Sequence, residues 1–344
     1  MTAVEDTGAL LRRLAIGFAN AARTGSDDDL WTVQGDAQEA WQIGVRHADL
    51  VLLLVQLHLD CHAVDAADAL LSAEPRAAET PTGRMLRAGM LLQRGDPESA
   101  GGLLLDLLHH ERTWRSLALL AAVYEDVADQ AAADLLYTEA GEELDARRLA
   151  TFAWVECQRA RLRLETGRIE AADRHLRRAE SAAPGWAVAA VRGRWHEARG
   201  DAVTAAGVWA QVAEATDRPD HAQAAAAAAL RAGLVDETNR WQRQARTGFA
   251  AARRRWPYRY AHHEVDWHLH VDPDLAQALT LARADYHQRP ALRQAARLAA
   301  VLRAVGDEEA ADRLTEDHAH RRTQAKAGLA VALTRADSSL AATA

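Results

Sequence analysis

Apolar residues along the chain recur at helical spacing almost throughout, and polar turns built on glycine interrupt the pattern again and again. The stretches LLQRGDPESAGGLLLDL (91–107), LRLETGRIEAADRHLRRA (162–179), WHEARGDAVTAAGVWAQV (195–212), ALRAGLVDETNRWQRQA (229–245) and VLRAVGDEEAADRLTED (301–317) each read as a helix end, a turn and a new helix. Their turn glycines are Gly95, Gly167, Gly200, Gly233 and Gly306, and the middle three stand 33 residues apart. Extending that spacing places further turns, without glycine, at His62, Ala128 and Val271. Five residues after the eight turn positions stand Ala67, Ala100, Ala133, Ala172, Ala205, Thr238, Ala276 and Ala311. Seven residues before them stand Val55, Ala88, Ala121, Ala160, Gly193, Ala226, Glu264 and Ala299. Small residues at both places let two antiparallel helices approach closely.

This arrangement resembles the tetratricopeptide repeat (TPR), a helix-turn-helix unit that stacks into arrays, over about residues 48–320. The small residue, the Gly turn and the following Ala carry the resemblance, with Pro184 closing one unit; the aromatic positions of the family are here mostly Leu or Ala. It implies an all-α fold: an α-solenoid, a right-handed superhelix of about eight helical hairpins with a concave groove. Residues 1–47 are expected to form an N-terminal helical cap. Leu10, Leu11, Leu14 and Phe18 lead to a turn at residues 25–29, followed by Trp31, Val33, Trp41 and Val45. Residues 321–344 are read as the end of the last helix, from Asp307 to about Ala327, a closing stretch from Gly328, and a frayed tail from Ser338.

Composition supports this reading. Alanine supplies 79 of the 344 residues, with only 8 Pro and 5% aromatics, which excludes an all-β fold. Forty of the 41 basic residues are Arg, the exception being Lys326, which reads as base-composition bias. Cys61 and Cys157 are too few for a disulfide framework or a thiolate zinc site and suit a reducing compartment. Residues 1–8 are acidic and lack a signal-peptide pattern, and the longest apolar run, 51–59, is broken by Gln56 and His58. The expectation is a cytoplasmic protein without membrane contact.

No phosphate-binding, dinucleotide, nucleophile-elbow, HExxH or CxxC motif occurs, so no cofactor is expected and the weight falls away from an enzyme. Three local features compete as chemistry. The His-rich stretch 257–271 reads as one helix of about fourteen residues. On it His262, Asp266 and His270 share a face at a spacing that suits two imidazoles and a carboxylate on a divalent ion, against the alternative of a hydrated polar helix. Family register sets those three away from the groove. Arg240, Arg243, Arg246, Arg253, Arg254, Arg255 and Arg259 form a basic run. The first three read as a solvated outer face, the rest as candidates for an anionic ligand. His58 and His62 have two-ligand spacing on an apolar helix and read as structural.

The resemblance further implies that positions thirteen, ten, six, three and two before each turn line the groove. Those positions hold Trp154, Arg161 and Glu165, then Arg194 and Glu197, then Gln223 and Arg231. In the last two units they hold Tyr258 and His268, then Arg293 and Arg303. The Lys and Asn of the family's carboxylate clamp are absent, yet the line is rich in Arg, which forks carboxylates. The leading expectation is a non-catalytic scaffold or regulatory protein binding a peptide or protein partner through an acidic segment or free carboxylate. Helical-repeat chains of this type resemble bacterial peptide-sensing regulators; no helix-turn-helix stands in residues 1–47, and nucleic acid is not expected as a partner. The alternative is a metal-dependent or ligand-processing enzyme centred on the 257–271 helix.

Overall fold

The structure is a computed structural model that describes residues 7–343, with side chains described to residue 334. The acidic start read above therefore lies largely outside the described residues. The described residues form nineteen helices and no strand.

The first pair, α1 (Thr7–Thr24) and α2 (Asp27–Gln42), is the cap. Eight hairpins follow: α3 (Ala48–Asp60) with α4 (Val64–Ala73); α6 (Pro81–Gln93) with α7 (Pro97–His110), after the one-turn α5 (Pro75–Ala78); α8 (Trp114–Asp126) with α9 (Gln130–Glu142); and α10 (Leu149–Glu165) with α11 (Ile169–Ala182). Next come α12 (Trp186–Ala198) with α13 (Ala202–Thr216), α14 (Pro219–Arg231) with α15 (Val235–Arg255), α16 (Ala261–His270) with α17 (Leu275–Gln288), and α18 (Leu292–Ala304) with α19 (Glu308–Thr343).

The turn chemistry explains the hairpins. All five turn glycines have positive φ, and so do His62 (59°) and Ala128 (56°), where the glycine is replaced. Left-handed backbone ends each first helix and reverses the chain. The small residues then do the packing: Ala67, Ala100, Ala133, Ala172, Ala205 and Ala311 are all 0% exposed. Gly193 shows why, since a Cβ there would meet the Trp209 ring at 2.8 Å.

Three expectations need correction. Val271 is right-handed (φ −118°), because Asp272 and Pro273 lengthen that turn by one residue; Ala278, not Ala276, is the first buried alanine of α17. The His-rich helix begins at Ala261 rather than near Pro257, since residues 257–260 form turns. The last helix does not stop near Ala327: α19 continues to Thr343. Gly328 lies inside it because α19 packs back on α7, where a Cβ would stand 2.3 Å from the Glu98 carboxylate. Leu329, fully buried, sits against Gly101 in the same contact.

That return contact, joined by Lys326 Nζ 2.9 Å from Asp129, brings the last unit against the second and third. The cap meanwhile docks on the middle of the array: Trp256 joins the core of α1, α2 and α3, its Nε1 donating to Gln34 at 2.6 Å, and Trp186 Nε1 donates to the Arg23 carbonyl at 3.1 Å. The superhelix thus coils tightly enough that early and late units touch. No helix among the described residues is long and apolar enough to cross a membrane.

Candidate functional site

The concave face is not an open trough. Arg293 on α18 crosses it to reach Glu125 on α8 (3.0 Å) and Glu165 on α10 (3.6 Å), and the rings of His62 and His262 meet across it at 5.4 Å. Between such crossings lies a cavity of about 600 Å³, where the C-terminal ends of α3 and α6 and the cap turn face the N-terminal ends of α10, α12 and α14 and the turn before α16. Its walls include Phe18, Trp154, Trp186 and Tyr260, together with His62, His262, His263, Arg218 and Arg259.

The charges in this wall are neutralised from within. Arg218 donates to both Asp220 oxygens (3.1 and 2.9 Å) and lies over the Trp186 and Tyr260 rings. Burial would raise Asp220, yet Arg218 and the neighbouring imidazoles hold it well below the carboxylate range. Arg259 binds Asp27 of the cap at 3.1 Å and the Asp60 carbonyl at 3.1 Å, leaving its Nε buried without a partner. Asp27 also accepts from the Tyr260 hydroxyl at 2.8 Å. The histidines are uncharged: burial takes His263 down to about 4 and His262 well below its ordinary value. Their ring centroids lie 4.1 Å apart, the planes tilted by 40°.

Deeper along the same inner helices the balance changes. On α10, Arg161 makes one hydrogen bond, to Gln158 at 2.6 Å, and its buried Nε has none. On α12, Arg194 is exposed and has no hydrogen-bond or ion-pair partner among the described residues. Although its tip is open to solvent, the lumen walls surround it, and that desolvation, with the charge of Arg161 and against the pull of Glu197 and Asp220, lowers its pKa. The two guanidiniums thus repel each other, and neither has an ion-pair contact with a carboxylate among the described residues. Gln223 has a buried Oε1 without a donor.

Other groove candidates are occupied or displaced. Glu197 accepts from Trp209 Nε1 (3.1 Å) and from Arg231. Arg303 is taken by Asp312 (2.9 Å), and His268 turns back to the Asp272 carbonyl at 3.3 Å. Tyr258 lies before α16. The longer turn after α16 moves the groove positions of that unit to Arg259, His262 and Asp266, so His262 faces the cavity after all. Trp154 stands in the cavity wall, edge-on to Trp114 and Tyr137.

The metal candidates do not converge. The Asp266 carboxylate is held by Arg297 through bonds of 2.8 and 3.1 Å, and His262 faces Arg289 and two other imidazoles. Among the described residues no three His, Cys, Asp or Glu side chains are grouped to hold an ion. The basic run is also largely spent: Arg240 on Glu214, Arg246 on Asp272, Arg253 on Glu264, Arg255 on Asp28 and Arg259 on Asp27. Two of the acids that neutralise it, Asp27 and Asp28, come from a distant segment, which is why the run from 253 to 259 reads as a positive field in sequence. Phe18, Trp186, Arg218 and His263 were not legible as cavity residues; the one available signal was Trp186, eight residues before Arg194 on the same helix.

No family model matches the chain, and no curated protein sequence does. Solved structures do. The APC/C hetero-tetramer Cut9-Hcn1 aligns at a TM-score of 0.54 and 12% identity over 88% of this chain, which spans only 57% of that one. The Rap conjugation gene regulator of the plasmid pLS20, in complex with the Phr* peptide, aligns at 0.54 and 12% over 93% of this chain and 95% of its own. A Rap protein complexed with Competence and Sporulation Factor aligns at 0.52 and 13%, over 95% and 100%. The chain has the fold of the TPR helical solenoids.

Proposed function

We propose that this protein is a non-catalytic scaffold or regulator that binds a peptide or protein segment within its concave lumen, through an acidic side chain or a free carboxylate. The observation that carries the reading is Arg194: a guanidinium in the field of Arg161, with no ion-pair partner among the described residues, on the same helix as Trp186, which lines a cavity of about 600 Å³. Keeping two like charges together costs folding free energy, and a ligand carboxylate recovers it. The volume lies in the range of ligand pockets. The similarity to two Rap structures, one of them with a bound peptide, supports the same reading by fold alone.

The test uses two pools of random hexapeptides, one with free C-terminal carboxylates and acidic residues, one amidated and basic, titrated against the chain by calorimetry. The acidic pool is expected to bind. Replacing Arg194 or Arg161 by Ala should weaken binding ten- to a hundredfold, as loss of one charge-assisted hydrogen bond of ~1.5–3 kcal/mol implies. Arg240→Ala, on the outer face, should leave it unchanged. Equal binding of the basic pool, or a larger loss from Arg240→Ala, overturns the proposal.

A further inference from the structure

The lumen has two halves of opposite character, and helix geometry fixes the distance between them. In the cavity half both guanidiniums are answered. Arg218 is spent on Asp220, Arg259 on Asp27, and the facing imidazoles are neutral. A charged ligand group gains little there. A planar apolar ring gains contact with an aromatic wall that includes Trp154, Trp186 and His262, the kind of surface that aromatic side chains prefer. In the other half Arg161 and Arg194 have no ion-pair contact with a carboxylate among the described residues.

Trp154 and Arg161 stand seven residues apart on α10, and Trp186 and Arg194 eight apart on α12. At 1.5 Å of rise per residue these separations are about 10 and 12 Å. Side chains on parallel helices tilt the same way, so the tilt does not change the difference. An extended peptide covers that length in about three residues at ~3.3 Å each.

We propose, resting on the peptide-binding reading above, that the ligand is an extended segment with an aromatic side chain about three residues from a carboxylate. The ring enters the cavity and the carboxylate meets Arg161 and Arg194. A side-chain carboxylate and a chain terminus present the same chemistry, and the probes separate them.

Four peptides are titrated calorimetrically against the full chain: acetyl-Phe-Ala-Ala-Asp-amide, its isomer acetyl-Ala-Phe-Asp-Ala-amide, acetyl-Ala-Ala-Ala-Asp-amide, and acetyl-Phe-Ala-Ala-Ala with a free C-terminus. The first, the last, or both should bind at least tenfold more tightly than the second and third. Trp154→Ala, at a half-exposed position that should not disturb folding, should erase the preference for Phe, and Arg194→Ala the preference for the acid. If all acidic peptides bind alike and Arg194→Ala weakens each, the spacing is wrong while the peptide-binding reading stands. If none binds at millimolar concentration, both fall.

Discussion

Arg293 Nη2 on α18 lies 3.0 Å from Glu125 Oε2 on α8, joining side chains 168 residues apart across the lumen. Such a contact exists only if the superhelix completes enough of a turn for its last unit to meet its third. The pair does not by itself hold the turn closed, because the Arg293 side chain is 55% exposed and pairs of that kind contribute about 1 kcal/mol or less. The apolar return of α19 onto α7 is the stronger clasp.

Leu329→Ala should therefore cost about 2–4 kcal/mol and widen the molecule, since Leu329 is fully buried against Gly101 and Ala325. Arg293→Ala should cost less than about 1 kcal/mol. Chemical denaturation and small-angle scattering separate the two; a larger expansion from Arg293→Ala would show that the ion pair, not the leucine, sets the closure.

The cap is tied to the array by charge. Asp27 and Arg259 have side chains only 14% and 12% exposed, so removing one leaves the other with little water to replace it. Asp27→Ala should destabilise by about 3 kcal/mol and raise hydrogen exchange in residues 7–42 first. The double variant Asp27→Leu with Arg259→Met should recover most of the loss. If it is no more stable than the single variant, the pair is not the determinant of docking.

Two buried groups near the cavity give opposite pH signatures. Burial takes His263 from 6.5 down to about 4, against the pull of Asp220, so the unfolded chain takes up its proton first and stability is lost as the pH falls from 6.5 towards 4. Burial takes Asp60 from 3.8 up to about 6, against the Gln56 hydrogen bond and Arg259, so here the folded chain protonates first and stability is gained as the pH falls from 6 towards 4. Relative to His263→Gln the native chain should weaken on acidification; relative to Asp60→Asn it should strengthen. Urea midpoints at pH 7, 6 and 5 read both, and slopes of the same sign would refute the assignment.

How much of this was visible in the sequence depended on the range of the interaction. Local signals survived: the glycine and alanine spacing located seven of the eight turns, including His62 and Ala128, because a left-handed turn followed by a small residue is a short-range requirement. Val271 failed because a one-residue insertion in a turn leaves no trace in the helical period on either side. Arg161 and Arg194 were assigned to the groove from spacing within single helices. The cavity was not, because its walls come from units that meet only after the small rotation at each repeat has accumulated. The same distance explains the basic run, whose acids at Asp27 and Asp28 lie more than two hundred residues away.

Packing at the repeat seam is tight enough to measure. Ala172 on α11 and Ala160 on α10 are both 0% exposed within one core. Ala172→Leu should overpack the pair and cost about 1–3 kcal/mol. An unchanged melt would mean that the register assigned to this hairpin is wrong.

The turns themselves supply the last prediction. Left-handed backbone costs a residue with a Cβ roughly 1–2 kcal/mol, and Gly167 (φ +69°) has open space where that Cβ would go, so Gly167→Ala should cost about that amount and no more. Gly95 has nearly the same φ, +71°, but its Cβ would stand 2.3 Å from the Pro290 carbonyl oxygen and 2.9 Å from its carbon. Those atoms are backbone at the entrance to α18, and they cannot rotate away as a side chain would. Gly95→Ala should therefore cost more than Gly167→Ala and should also push the eighth unit off the second, loosening the superhelix. Ala128 already bears the strain at φ 56°, so Ala128→Gly should stabilise the chain by about 1 kcal/mol. Melting curves rank the three variants, and scattering tests the expansion. If Gly95→Ala and Gly167→Ala cost the same, the contact between Gly95 and Pro290 does not form in solution, and the coil is wider than the crossing of Arg293 to Glu125 requires.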